Sequence, residues 1–180
     1  MPHDIVATAS RLVYENRWMR VREDAIVQAD GSPGLYGIVE KNDFVVVAAV
    51  EDGRIHLVEQ YRYPVRGRYW ELPQGSWDHA PDADPVEVAR GELREETGLA
   101  AAELVHAGYL FQSYGYSTQG YHVFLARGLT QGAPAREATE QDMISRSFPL
   151  DEVLRMMADG TIKDSATVAA LGLLRLKGML

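Results

Sequence analysis

Residues 70–99 read WELPQGSWDHAPDADPVEVARGELREETGL. Asp84, then Pro85, then Glu87 follow the pattern of a helix N-cap, a proline at the first helical position and a capping-box acid at the third. Gly98 is the matching C-cap. At about 100° per residue, Val86, Ala89 and Leu93 share one side of the helix between these caps and call for a core to cover them. Glu92, Glu95 and Glu96 gather on a neighbouring side. Like charges at i,i+3 and i,i+4 cost an isolated helix roughly 0.2–0.5 kcal/mol per pair, so three clustered carboxylates need solvent or a counter-charge. A divalent cation supplies it most simply. Magnesium and manganese take oxygen ligands, and magnesium is commonly held by one or two carboxylates together with substrate phosphates. Acid runs on helices are mostly solvated faces; the order of Gly-containing loop, capped helix, acid cluster and glycine sets this one apart.

The stretch resembles the box of the Nudix hydrolases, in which Gly, five residues, Glu and seven residues precede Arg-Glu-aliphatic-x-Glu-Glu-x-Gly-aliphatic. Gly75 matches the opening glycine, and Glu92, Leu93, Glu95, Glu96, Gly98 and Leu99 match the closing half. Three positions depart from the pattern. Gly91 stands where the family has arginine, the loop from Gly75 to Glu92 is two residues longer, and the first glutamate of the pattern falls on Ala83. Asp82 and Asp84 are the acids near enough to stand in for it. The resemblance implies an α/β/α sandwich and a Mg2+ or Mn2+ cofactor. It implies Glu92 and Glu96 as metal ligands, with Glu95 and the backbone carbonyl of Gln74 in support.

Upstream, residues 60–71 (QYRYPVRGRYWE) place Arg62, Arg66 and Arg68 among aromatic residues. The planar guanidinium donates two parallel hydrogen bonds to a phosphate, and aromatic faces stack a base. This segment is similar to the QYR…WELPAG stretch of the ADP-ribose pyrophosphatase branch, which implies that Arg62 contacts substrate and that Gln74 occupies the alanine position. Glu71 and Arg68 are further substrate-binding candidates. Residues 111–126 resemble the FYPSPGFSDE…FLA stretch of the same enzymes, with Tyr114 in place of their proline and Gln119 in place of the acid near the ribose. Gln119 is therefore a substrate-binding candidate whose charge has changed. Further on, Glu140-Gln-Asp142, with Glu137 nearby, fits the spacing of an acid pair. By the resemblance Glu140 activates the water, and Asp142 and Glu95 complete the catalytic set.

Bulk properties narrow the classes. The chain has 180 residues, one domain's worth, and a net charge of −8, which argues against a nucleic-acid face. Cysteine is absent, which excludes disulfides, thiol nucleophiles and cysteine metal sites. The five histidines show no zinc spacing, and neither a G-x-S-x-G elbow nor a P-loop is present. The amino-terminal residues lack a signal pattern and Phe44 to Val50 is too short an apolar run to span a bilayer, so a cytoplasmic protein without membrane partners is expected.

Taken in order, residues 11–28 alternate as one or two strands, Asp30 to Gly34 make a turn, and Leu35 to Glu40 form another strand. Phe44 to Glu51 is a buried strand, Asp52-Gly53 a two-residue hairpin turn, and Arg54 to Tyr63 the return. Residues 64–69 read as a basic loop and Tyr69 to Leu72 as a short strand. Strands follow at 103–112, 120–127 and 142–148, with a flexible loop at 128–139 and helices at 150–158 and 166–176. The expected class is α/β (α+β mixed): a Nudix sandwich over 41–180, with a β appendage over 1–40 that joins a homodimer interface. The expected function is metal-dependent cleavage of the pyrophosphate in a small nucleoside diphosphate substrate, ADP-ribose by default and GDP-mannose or another nucleotide sugar as the alternative. A reading of another class, a non-catalytic nucleotide-sugar sensor on the same fold, is motivated by Gly91.

Overall fold

The computed structural model describes residues 4–77, 79–134 and 142–180. They divide into two compact units, one running through Asp43 and including Phe111–Gly120, the other comprising Phe44–Leu110 and Tyr121–Leu180.

In the first unit, β1 (Val6–Glu15), β2 (Arg20–Val27) and β3 (Pro33–Glu40) form an antiparallel sheet in that order. Short polar side chains make the turns. The Asn16 side chain accepts bonds from the amides of Trp18 (2.8 Å) and Met19 (3.0 Å), and Asp30 accepts from the Ser32 amide at 2.9 Å. Arg11 pairs with Glu23 at 2.8 Å, and Arg22 with Asp24 and Glu40, both at 2.7 Å. Every residue of β1 is exposed, including Val6, Leu12, Val13 and Tyr14.

The second unit is built on β4 (Phe44–Glu51), β5 (Arg54–Arg62), β6 (Gly67–Glu71), β7 (Gln74–Gly75), β8 (Leu99–Phe111), β9 (Gly120–Gln131) and β10 (Ile144–Pro149). The strand order is β10-β5-β4-β9-β8, with β6 on β5 and β7 on β4. β4 runs parallel to β9, while its pairings with β5 and β7 are antiparallel, so the sheet is mixed. Strand alternation assigns the two faces of β4 to different cores. Val46 and Ala48 join Leu171 and Leu174 of α3 (Ser165–Leu176) and Val153 of α2 (Leu150–Ala158). Val45, Val47 and Ala49 join Val88, Ala89 and Leu93 of α1 (Pro85–Thr97). Helices thus cover both faces, giving the α/β/α sandwich.

Asp52 (φ 49°) and Gly53 (φ 71°) make the hairpin turn expected from their sequence. The first strand begins earlier than expected, at Val6, and the strand expected from residue 103 begins at Leu99; two further segments also depart from expectation. The basic loop shrinks to one 3-10 turn, Tyr63–Val65, after which Arg66 (φ 51°) lets β6 begin at Gly67. The strand expected to stop at residue 127 continues as β9 to Gln131. Gly128 sits inside it at φ 63°, and a β-carbon there would lie 2.8 Å from that of Ala102, so glycine serves both a left-handed backbone position and a close approach.

Gly98 closes α1 at φ 78°, its amide bonded to the Arg94 carbonyl at 2.9 Å. A β-carbon at this residue would come within 2.5 Å of the Gly132 carbonyl oxygen. Left-handed backbone costs a side-chain-bearing residue roughly 1–2 kcal/mol. Gly98→Ala is therefore expected to lower Tm by about 4 °C or more in a calorimetric melt. An unchanged Tm would show that the helix ends differently.

Candidate active site

The capping signals place α1 as the sequence indicates. Asp84 accepts a bond from the Val86 amide at 2.9 Å, Pro85 follows, and Gly98 ends the helix. The acids, however, are not on a solvated face. Glu92 is 8% exposed and Glu96 0%, while Glu95 is half-buried. Val88, which periodicity leaves out of the core stripe, is buried, and Val86 is only partly covered.

The two buried glutamates face the segment Leu72–Gly75. The Gln74 amide donates to Glu96 Oε2 at 3.2 Å. A β-carbon on Gly75 would sit 2.4 Å from Glu92 Oε2, so this glycine is required for the carboxylate to lie where it does. Burying carboxylates is costly unless charge and hydrogen bonds compensate. Two hard oxygen donors one helical turn apart, beside the backbone of a glycine-containing loop, suit a hard divalent cation. Among the described residues no three His, Cys, Asp or Glu side chains converge as a metal site. A cation held here would complete its shell with backbone, water or substrate oxygen.

The other side of Leu72–Gln74 is tied to α3. The Leu72 amide donates to Thr167 Oγ1 at 2.9 Å, and Gln74 Nε2 to Asp164 Oδ2 at 3.2 Å. The same Asp164 oxygen caps α3 by accepting from the Thr167 amide at 2.8 Å. In sequence Asp164 signals only a helix cap, and nothing local indicates its bond to residue 74.

Arg62 and Glu71 meet across β5 and β6. Glu71 is 2% exposed and accepts bonds from Gln60 Nε2 (2.9 Å), Arg62 Nε (3.2 Å) and Arg62 Nη2. Burial pushes its carboxyl above the usual range; Arg62 and Gln60 pull back, while nearby Asp164 adds to the rise. The Arg62 side chain is 41% exposed, so the residue itself is not sealed from solvent as Glu71 is.

The remaining candidates are distributed as follows. Arg68 and Asp142 pair with each other: Arg68 Nη1 donates to Asp142 Oδ2 at 2.6 Å, Nη2 to the Asp142 carbonyl at 2.8 Å, and Nε to Glu59 at 2.9 Å. Gln119, in the first unit, is buried and donates from Nε2 to the Asn42 carbonyl at 2.7 Å. Glu137 and Glu140 lie outside the described residues. His106 and His122, far apart in sequence, stand on β8 and β9 with Nε2 and Nδ1 3.1 Å apart, a proximity that spacing rules do not detect.

With this geometry in view, the chain matches the NUDIX domain over residues 40–170, and the nucleoside diphosphate sugar hydrolase N-terminal domain over residues 7–39. It belongs to the Nudix family. It is 32% identical over 169 residues to an ADP-ribose pyrophosphatase of Mycobacterium tuberculosis, covering 93% of this chain and 81% of the relative. Identity is 30% over 171 residues to an ADP-ribose pyrophosphatase of Bacillus subtilis, covering 94% and 91%. A crystal structure of an ADP compounds hydrolase superposes with a TM-score of 0.87 at 20% identity, over 99% of this chain and 97% of that one. Its reaction class is accordingly that of a Nudix pyrophosphohydrolase, and enzymes of this family generally use a divalent metal. No helix among the described residues is long and apolar enough to cross a membrane.

Proposed function

We propose that the chain hydrolyses the pyrophosphate bridge of a nucleoside diphosphate sugar, with ADP-ribose as substrate and AMP and ribose 5-phosphate as products, using Mg2+ or Mn2+. The observation that carries this reading is the pair of buried carboxylates, Glu92 and Glu96, one turn apart on α1 against Gln74 and Gly75. The ADP-ribose pyrophosphatases at 30–32% identity support the choice of substrate.

In this reading Glu92 and Glu96 hold the metal, with Glu95 and the Gln74 carbonyl in support. A bound divalent cation neutralises charge on the phosphoryl group and lowers the pKa of water. Arg62, oriented by Glu71, grips a phosphate, and Arg68 and Gln119 are the further candidates for substrate binding. Glu140 takes the proton of the attacking water, assisted by Asp142. Water adds to phosphorus and the bridging P–O bond breaks. The exposed apolar residues of β1 support a homodimer, and a monomer at micromolar concentration by light scattering would refute it.

The test is product release from ADP-ribose, GDP-mannose, NADH, diadenosine polyphosphates and nucleoside triphosphates with Mg2+ or Mn2+. AMP and ribose 5-phosphate from ADP-ribose are expected. Preferential cleavage of GDP-mannose would reassign the sugar nucleotide. If a nucleotide sugar raises Tm but nothing is cleaved, the protein is a sensor and the proposal fails.

A further inference from the structure

Gly91 departs from the box pattern, and the hydrolytic reading leaves it without a purpose. The structure shows what occupies its surroundings. A β-carbon at residue 91 would lie 2.3 Å from Cζ2, 3.1 Å from Cε2 and 3.3 Å from Cη2 of Trp77. The benzo edge of the indole therefore rests directly on the bare helix backbone. Two residues earlier in the same loop, Gly75 lies equally close to the next helix residue, with its missing β-carbon 2.4 Å from Glu92 Oε2. Loop residues 75 and 77 thus meet helix residues 92 and 91, and each contact exists because one partner lacks a side chain.

The indole is held from other directions as well. It packs against the apolar cluster of Val88, Ala89 and Leu93. Its ring stacks on His79 with centroids 5.8 Å apart and planes inclined by 24°. Two successive turns, Ala80 amide to Trp77 carbonyl (2.9 Å) and Ala83 amide to Ala80 carbonyl (3.0 Å), lead from it into the Asp84 cap. The loop is consequently anchored to α1 at Trp77 as well as at the cap.

We infer that Trp77 is a positioning residue: seated on Gly91, its indole holds the Gly75 backbone against the Glu92 carboxylate and fixes where that carboxylate points. The inference rests on the reading that Glu92 holds a divalent metal. A rigid ring with two side-chain torsions does this at low entropic cost and, unlike an ion pair, independently of salt. Gly91 and the longer loop then belong together, because a side chain at 91 excludes the ring and the loop supplies it.

The test compares the wild-type protein with Trp77→Ala, Trp77→Phe, Gly91→Arg and the double variant Trp77→Ala/Gly91→Arg. Mn2+ binding without substrate is measured by calorimetry, beside kcat, KM and Tm. Loss of a group that orients a metal ligand typically costs 10–100-fold, so Trp77→Ala is expected to weaken Mn2+ binding and lower kcat by about tenfold, with little change in KM. Trp77→Phe should regain most of both. Gly91→Arg alone should lose both Mn2+ binding and Tm, and the double variant should lose less than the product of the single losses, because removing the ring makes room for the new side chain. Wild-type Mn2+ binding in Trp77→Ala with only Tm reduced would overturn the inference and leave the metal reading standing. Multiplicative losses in the double variant would overturn it too. Failure of the wild-type protein to bind Mn2+ would overturn both together.

Discussion

Glu96→Gln is expected to remove metal-dependent turnover, by roughly 10²–10⁴-fold, without unfolding the protein. A metal contributes several kcal/mol to stabilising phosphoryl charge, and each 1.36 kcal/mol is a factor of ten in rate. The substitution preserves shape, and the new amide oxygen can still accept the Gln74 amide that now bonds Glu96 at 3.2 Å. Glu96 is fully buried, so in the presence of a chelator the neutral amide costs less to bury than a carboxylate. Without metal the variant should melt at or above the wild-type temperature; with metal the order should reverse, because only the wild-type protein is stabilised by the bound ion. Metal-dependent turnover retained in Glu96→Gln would remove this residue from the metal site, whatever the substrate.

Arg62→Met carries the second large effect, and it acts on both stability and binding. The guanidinium provides two of the three bonds that Glu71 accepts. Leaving a buried acceptor undersatisfied costs about 1–3 kcal/mol. Because burial already raises the Glu71 carboxyl, losing Arg62 raises it further. A carboxyl raised in the folded state binds its proton more tightly there than in the unfolded chain. Stability therefore falls as pH rises from the unfolded carboxylate range through the folded value, and levels off above it. In Arg62→Met that decline should extend to higher pH, so the gap in Tm from wild type widens between mildly acidic and neutral solution. Arg62→Met/Glu71→Gln should flatten the profile and recover Tm, but not binding, since the phosphate-gripping fork is still missing. KM is expected to rise about tenfold or more in both variants, in line with charged hydrogen bonds of roughly 1.5–3 kcal/mol. If the double variant melts as low as Arg62→Met alone, the loss lies elsewhere than in the stranded carboxylate.

What could be read from the chain alone was whatever neighbours in sequence decide. Asp84, Pro85 and Gly98 mark the ends of α1, and Asp52-Gly53 with the apolar run before it marks β4, its turn and β5. The positions of Glu92, Glu95 and Glu96 on one helix carry the metal hypothesis. Helical periodicity sorts residues by angle but not by what approaches from outside, so it could not show that Glu92 and Glu96 are buried by Leu72–Gly75. Nor could it show that the Gln74 side chain reaches Asp164, that Arg68 pairs with Asp142, or that Trp77 rests on Gly91. Each of these joins segments separated in sequence, and each depends on the sheet having formed. Gly128 misleads for a related reason: glycine reads as a breaker when viewed along one strand, and as clearance when the neighbouring strand is present.

The parallel pairing of β4 with β9 has a consequence for biosynthesis. Phe44 is matched with Tyr121 and Ala49 with Ala126, whereas β4 meets β5 only beside their turn, at Val50↔Ile55 and Glu51↔Arg54. A chain emerging from the ribosome can close β1, β2 and β3 at once, but the run FVVVAAV must wait for the far segment to be made. Until then one of the most apolar strands in the protein offers an unpaired edge, the kind of segment that seeds intermolecular β-pairing. Products stopped before residue 121 are thus expected to aggregate or to be held by chaperones, and this edge closes only once β9 has been made.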